Sequence, residues 1–203
     1  MKRLMLLTAS YALLRMTGVA APCMNGSLAS YAALGSTGCL LGTLTVSNFA
    51  YQANSSGGAP EITADEVAVT PLLAPTGTFA LQFGASWGVL PGQGQVSKVT
   101  YNVLAPGLGG QIQQVRLDGN SFVGGMFSSA TVNEAISTQV LAYDQAVFLD
   151  CREVCHSKTS DMRNINALGI LAVSDKVILE SKMGSTALTG FVDWFVVCAP
   201  CAQ

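Results

Sequence analysis

The residues with the most reactive side chains lie in the hexapeptide CREVCH, which contains Cys151, Cys155 and the chain's single histidine, His156. Two thiols beside a histidine are compatible with three chemistries. The thiols could add to the vinyl groups of a haem while His156 ligates the iron, although haem attachment normally uses C-x-x-C-H and this motif has one more residue. They could form disulfide bonds, or they could hold zinc together with Cys198 and Cys201, with His156 as a replacement ligand.

Disulfide bonds are the favoured interpretation of this motif, and haem is the main alternative. The altered spacing, the β-rich surroundings and the absence of a second histidine all weaken the case for haem. An iron held at His156 would need a methionine, a residue of another subunit or water as its distal ligand. The intramolecular candidates for that position are Met126, Met162 and Met183. Free zinc thiolates are disfavoured in an oxidising compartment.

No other stretch predicts a reaction, so the chain is not expected to be an enzyme. Acidic residues could in principle form a glycosidase pair, but isolated carboxylates on strands and turns are more typical of solvated faces. The candidates for such a pair are Asp65, Glu66, Asp144 and Asp150. Trp87 and Trp194 are more typical of core residues than of a sugar-binding surface.

The N-terminus predicts a secretory signal peptide over residues 1–21. Lys2 and Arg3 form a basic start, residues 4–14 are mostly apolar, and small residues precede the expected cleavage site. Removal of this segment leaves 7 Lys and Arg against 12 Asp and Glu, a net charge of −5. Such an acidic, lysine-poor chain is not expected to bind nucleic acid, and no apolar run is long enough to span a bilayer. The predicted location is extracellular or at the cell surface.

The elements that must position these residues are predicted to be short strands. One short helix is expected between Ser27, its N-cap, and Gly35. Beyond it, apolar residues alternate with polar ones in runs separated by Gly-rich or Pro-rich turns, with a bulge near Asn48. This pattern predicts an all-β fold, an antiparallel β-sandwich or jelly roll, over residues 22–203 as a single domain. Residues 144–166, which include CREVCH, lack the alternation and are predicted to form an irregular insert.

The first half of the chain carries a recognisable pattern. A cysteine in APC is followed by L-x-x-Y-x-x-L-G-x-x-G-C, by a strand ending in N-F-x-Y, and then by ITADEVAVTPL and FALQFGASWGVLPGQ. Over residues 23–101 this pattern resembles a group of secreted acidobacterial proteins of the PEP-CTERM-associated type, although FVVCAPCAQ stands where their sorting tail would be. The resemblance implies an exported β-rich domain, and it supplies no catalytic residues.

Cys23 and Cys39 flank the predicted helix and match the cysteines of that pattern, so we expect a disulfide bond between them. Closing a loop of this size stabilises the fold by roughly 3 kcal/mol in the chain-entropy model.

The expected function is that of a secreted, non-enzymatic surface or matrix protein. No charged residue occurs in residues 21–60 or 67–97, so strands in these segments would leave sheet edges without electrostatic protection against pairing with other chains. We therefore expect homo-oligomers or filaments. The alternative function is that of an extracellular c-type cytochrome with one haem at Cys151, Cys155 and His156.

Overall fold

The computed structural model describes residues 20–74, 77–105, 110–138, 141–151, 154–167 and 169–198. The predicted signal peptide lies outside these residues except for its last two positions. No helix in the described part of the chain is long and apolar enough to cross a membrane.

Nearly all of the described chain is antiparallel β-structure, so the predicted fold class is confirmed. A single short helix, α1, spans Leu28–Ala32. The strands are β1 (Gly26–Ser27), β2 (Cys39–Leu41), β3 (Leu44–Ser56), β4 (Ala68–Ala74), β5 (Thr78–Val89), β6 (Gly94–Leu104), β7 (Gln111–Ser137), β8 (Ala142–Cys151), β9 (Cys155–Lys158), β10 (Ser160–Ala167) and β11 (Ile170–Cys198).

The long strands β7 and β11 pair with each other along most of their lengths and organise the whole sheet. Residues 170–180 of β11 also pair with β6, and residues 186–196 pair with β5. In the same way, β7 pairs with β10 through its first part and with β8 through its last part. The sheet therefore has two arms. The first arm holds β2, β3, β6, β8 and β9, and the second holds β1, β4, β5 and β10.

The arms join where β7 and β11 bend. Gly125 has a φ of 130° and Phe127 has a φ of 57°, both in the region that L side chains rarely adopt. A Cβ at Gly184 would collide with the backbone of Gly124 on the paired strand. Gly125 and Gly184 therefore let β7 and β11 bend together while their backbones remain in close contact.

The two arms face each other across one hydrophobic cluster, which gives the sandwich-like arrangement. Tyr101 of the first arm lies with its ring centroid 5.8 Å from that of Phe83 in the second arm. Trp87 is buried, and its indole N–H donates to Ser97 Oγ at 3.0 Å across the same interface. The prediction that Trp87 is a core residue is confirmed.

Two local predictions are also confirmed. Ser27 caps α1, and its side chain accepts a hydrogen bond from the backbone N–H of Ser30. Asn48 has a φ of 55° at a register shift between β3 and β6, which is the expected bulge. Bulges of this kind add one residue to a strand and increase its local twist.

The predicted irregular insert at 144–166 is wrong. These residues form most of β8, all of β9 and most of β10. The alternation was hidden because Gln145 and Asp161 are polar residues at inward positions, where they are only 3% and 8% exposed.

Candidate functional site

The predicted Cys23–Cys39 disulfide is present. It ties the segment before β1 to the short strand β2, and backbone hydrogen bonds reinforce the connection. The N–H of Cys23 donates to the carbonyl of Leu40 at 2.9 Å, and the N–H of Leu40 donates to the carbonyl of Ala21 at 2.8 Å. The bond therefore anchors the N-terminal edge of the fold.

A second disulfide joins Cys151, the last residue of β8, to Cys155, the first residue of β9. The two cysteines are direct cross-strand partners, and His156 follows as an exposed residue opposite Asp150. Both sulfurs are occupied in this arrangement, so neither is available for a thioether bond to haem. The disulfide interpretation fits this geometry, and the haem interpretation stays a prediction for native material to test. Cys201 lies outside the described residues.

The acidic residues considered for a glycosidase pair lie in two regions, the turn before β4 and strand β8. Asp65 and Glu66 lie in the turn before β4, where the Glu66 carboxylate accepts hydrogen bonds from Thr63. Asp144 and Asp150 lie near opposite ends of β8. Trp194 is half-buried on the outer side of β11, with the Arg116 guanidinium 4.9 Å from its ring centroid.

Three carboxylates that the sequence analysis missed meet in the core between the arms. Glu134 of β7 and Asp175 of β11 are direct cross-strand partners in the first arm, and Asp193 of β11 faces them from the second arm. None of the three is more than 1% exposed. One oxygen from each lies within 4.8 Å of the others. We call Glu134, Asp175 and Asp193 the acid cluster.

Two neutral side chains contact the acid cluster. The Tyr101 hydroxyl donates to Asp193 Oδ2 at 2.5 Å, and the Gln145 amide donates to Glu134 Oε2. Neither oxygen of Asp175 accepts a hydrogen bond from a donor among the described residues, and Gln145 Oε1 is also unpaired there. No lysine, arginine or histidine in the described ranges lies within ion-pair distance of the cluster.

Burial dominates the electrostatics of the cluster because it penalises the charged form of each carboxyl. Burial, and then the nearby Asp193 carboxylate, raises the pKa of both Glu134 and Asp175 well above the usual values. Burial also raises the pKa of Asp193 to about 7, although the Tyr101 hydrogen bond acts in the opposite direction. The cluster must therefore hold protons or a cation to be stable in the folded protein.

A cleft of about 600 Å³ lies on the outer face of the first arm, beside the strands that carry the cluster. Glu134 and Gln145 are among its lining residues, but most of the others alternate with them along their strands and so point to the opposite face of the sheet. These outward lining residues include Lys98, Asn133, Ala135, Asp144 and Lys176.

The sequence did contain a signal for the cluster. Each acid has a large aliphatic or aromatic residue two positions before and after it, as in Val173-x-Asp175-x-Val177. Side chains two apart in a strand share a face, so an acid flanked in this way is on the core side. Three such acids in one chain indicate a polar group inside the core. The other two segments are Val132-x-Glu134-x-Ile136 and Phe191-x-Asp193-x-Phe195.

No family model and no curated protein matches the chain. Several solved structures are similar to it in part, among them the following two. The carbohydrate-binding module TmCBM61 in complex with beta-1,4-galactotriose is 13% identical, with 70% of this chain and 86% of that chain covered and a TM-score of 0.34. The enzymatically active domain of tailspike protein 4 from bacteriophage CBA120 is 9% identical, with 77% of this chain and 20% of that chain covered and a TM-score of 0.32.

Proposed function

We propose that the mature protein is a secreted, non-enzymatic structural component of the cell surface or extracellular matrix that associates with further copies of itself. The observation that carries this proposal is a free, uncharged edge on β3. The two disulfides are consistent with an oxidising compartment, where small exported domains commonly use such bonds.

The free edge lies in the second half of β3. Residues 44–46 of β3 pair with β2, but among the described residues no strand pairs with the same side of β3 after Val46. Asn48 donates its N–H to the Gly35 carbonyl there, which leaves residues 50–56 as the open stretch. This stretch contains no charged residue. An unpaired strand without charge is a template for pairing with another chain.

The other edge strands are protected in ways that β3 is not. β1, β2 and β9 have only two, three and four residues, which is too short for extended pairing. β10 is longer, but it carries Asp161 and Arg163. The part of β4 beyond its pairing with β1 contains Pro71, which has no N–H to donate to an added strand. The free half of β3 is therefore the preferred edge for antiparallel addition of β3 from a second copy, about a two-fold axis.

A second exposed surface would let the assembly extend beyond a dimer. Large apolar side chains that are 43–67% exposed collect where β7 and β11 bend, and Met126 is the direct cross-strand partner of Met183. This bend patch consists of Phe122, Met126, Phe127 and Met183. Exposed apolar patches of this kind are typical of protein–protein contacts. One contact at β3 and another at the bend patch would connect copies into a chain.

The proposal is tested by adding one charge to the free edge. Asn54 is exposed and lies opposite Val96, so Asn54→Lys places an ammonium on the open strand without a like charge across from it. We expect this variant to weaken dimer formation at least about tenfold, because symmetric pairing brings two lysines together. Sedimentation equilibrium of the mature protein over a range of concentrations measures the dissociation constant.

The matched control is Gln82→Lys. Gln82 is equally exposed but lies in β5, which is paired on both sides, so this lysine adds the same charge away from any free edge. Its association should remain within about twofold of wild type. A wild-type protein that stays monomeric at high concentration, or an equal loss in both variants, would overturn the proposal.

A further inference from the structure

We propose that the acid cluster is a binding site for one hard divalent cation, with Ca²⁺ as the best fit, held between the two arms of the sheet. The site would consist of Glu134, Asp175 and Asp193, with Gln145 as a neutral fourth ligand. It is independent of the self-association proposed above.

The charge of the three buried carboxylates favours a bound cation. Three carboxylates with oxygens within 4.8 Å of one another repel strongly in an interior from which water is excluded. Buried charges in proteins are paired or coordinate metals, and no cationic side chain in the described ranges pairs with these three. A divalent cation would satisfy all three carboxylates at once.

The ligand atoms available in the acid cluster are those that hard cations prefer. Every candidate ligand atom is an oxygen, and hard cations such as Ca²⁺ and Mg²⁺ prefer oxygen, whereas zinc and copper sites use nitrogen and sulfur. Outside the carboxylates, Gln145 is 3% exposed and holds its amide against Glu134. Its Oε1 has no hydrogen-bond partner among the described residues. A buried, unpaired amide oxygen on a side chain that contacts Glu134 can serve as a neutral oxygen ligand for a cation.

The sheet and Tyr101 fix the orientation of the side chains at the site. Gln145, Glu134 and Asp175 form one continuous cross-strand row over β8, β7 and β11, so the sheet itself spaces them. Tyr101 donates to one oxygen of Asp193 and leaves the other, Oδ1, without a partner among the described residues. Outer hydrogen bonds of this kind fix the direction of a ligating carboxylate.

Ca²⁺ fits this set better than Mg²⁺. Ca²⁺ accepts six to eight oxygens in flexible geometry, and carboxylates can supply two oxygens each. Mg²⁺ demands near-octahedral geometry and usually keeps several waters, which the surrounding apolar core does not favour.

The experiment uses the mature protein stripped with a chelator and titrated with Ca²⁺ alone or Mg²⁺ alone. Calorimetry should report one saturable Ca²⁺ site per chain, with Mg²⁺ at least about tenfold weaker. The Tm should rise by roughly 5–10 °C at a Ca²⁺ concentration about 100 times the dissociation constant. Tb³⁺ should give luminescence when tyrosine is excited, because Tyr101 contacts the site directly.

The decisive variant is Asp175→Asn, with Asp144→Asn as its matched control. Asp175→Asn removes one charge from the buried site and should weaken Ca²⁺ binding at least about 100-fold. The stripped variant should still fold, because losing a buried charge relieves repulsion. Asp144 is exposed on the opposite face of the sheet, so Asp144→Asn should change Ca²⁺ binding by less than about threefold.

Each remaining outcome contradicts the proposal. Wild-type protein that shows no saturable Ca²⁺ binding and no Tm shift has no cation site in its core. Equal loss of binding in Asp144→Asn and Asp175→Asn would place the ion outside the acid cluster. Circular dichroism of each stripped variant confirms that the binding data come from folded protein.

Discussion

The hairpin formed by β8 and β9 and the acid cluster contrast in how their side chains come together. In the hairpin, Cys151, Cys155 and His156 are close in sequence, and two of them become neighbours at an exposed edge of the sheet. The acid cluster draws on positions 134, 175 and 193, which are far apart in sequence but meet in the core. Residues that crowd together in sequence can therefore be structurally peripheral, while β-sheet register assembles a buried site from distant positions.

The largest expected effect concerns the pH dependence of the acid cluster in chelator-treated protein. The pKa of Asp193 is raised to about 7 from an ordinary value of 3.8, so the folded state holds this proton more tightly than the unfolded state does. The stabilisation is complete below about pH 4 and is lost as the pH rises to about 7. The free energy of unfolding should fall by roughly 4 kcal/mol over that range from Asp193 alone.

Urea unfolding at a series of pH values measures this dependence. A flat profile in the presence of chelator would contradict the burial of an ionisable Asp193.

A somewhat smaller effect is expected at the N-terminal disulfide, which closes a longer loop than the hairpin disulfide does. Cys23→Ser combined with Cys39→Ser should lower the free energy of unfolding by roughly 3 kcal/mol, since the unfolded chain regains the entropy of a 16-residue separation. Both cysteines are replaced so that no free thiol can exchange. Unchanged stability in the double variant would show that the backbone hydrogen bonds around Leu40 hold this edge without the disulfide.

The hairpin disulfide should contribute less. Cys151→Ser combined with Cys155→Ser is expected to cost roughly 2 kcal/mol, because the bond spans a sequence separation of only 4. Ca²⁺ binding should be unaffected, since neither cysteine belongs to the acid cluster. Loss of Ca²⁺ binding in this variant would show that the β8–β9 hairpin and the acid cluster are energetically coupled.

The smallest effect is expected at His156. Because this side chain is exposed on a short edge strand, His156→Ala should change stability by less than about 0.5 kcal/mol. The intact mass of protein from its native host should equal that of the polypeptide less the protons lost to disulfides. An added mass of one haem, with altered iron ligation in His156→Ala, would instead establish the cytochrome alternative.

Sequence patterns predicted most of the strands but not their continuity. Glycine and serine interrupt the apolar alternation near residues 119–121 and 181–186, so the sequence predicts short strands on either side of each interruption. The structure joins the segments into β7 and β11, which bend at those interruptions instead of ending there. Glycine marks a possible turn in a sequence, but only the paired strand decides whether the ladder continues through it.

The acid cluster was missed for a related reason. Reading a strand by alternation assigns charged residues to the solvent face, and Gln145 and Asp161 consequently made β8 and β10 look irregular. Glu134, Asp175 and Asp193 keep perfect period-two spacing with their apolar neighbours, and only this spacing separates them from surface acids. The Cys23–Cys39 bond was predictable because its cysteines flank one local helix, whereas the partners of the cluster depend on register between distant strands.

The position of β11 in the sheet has a consequence for the order of folding. β11 follows every other described strand in the sequence, yet it lies between β6 and β7 in the first arm and between β5 and β7 in the second. A polypeptide emerging from its N-terminus therefore has two incomplete half-sheets until the final strand arrives. Assembly dominated by such long-range pairing is slow. Pairing of β11, Ile170–Cys198, would therefore be the closing step of the whole fold.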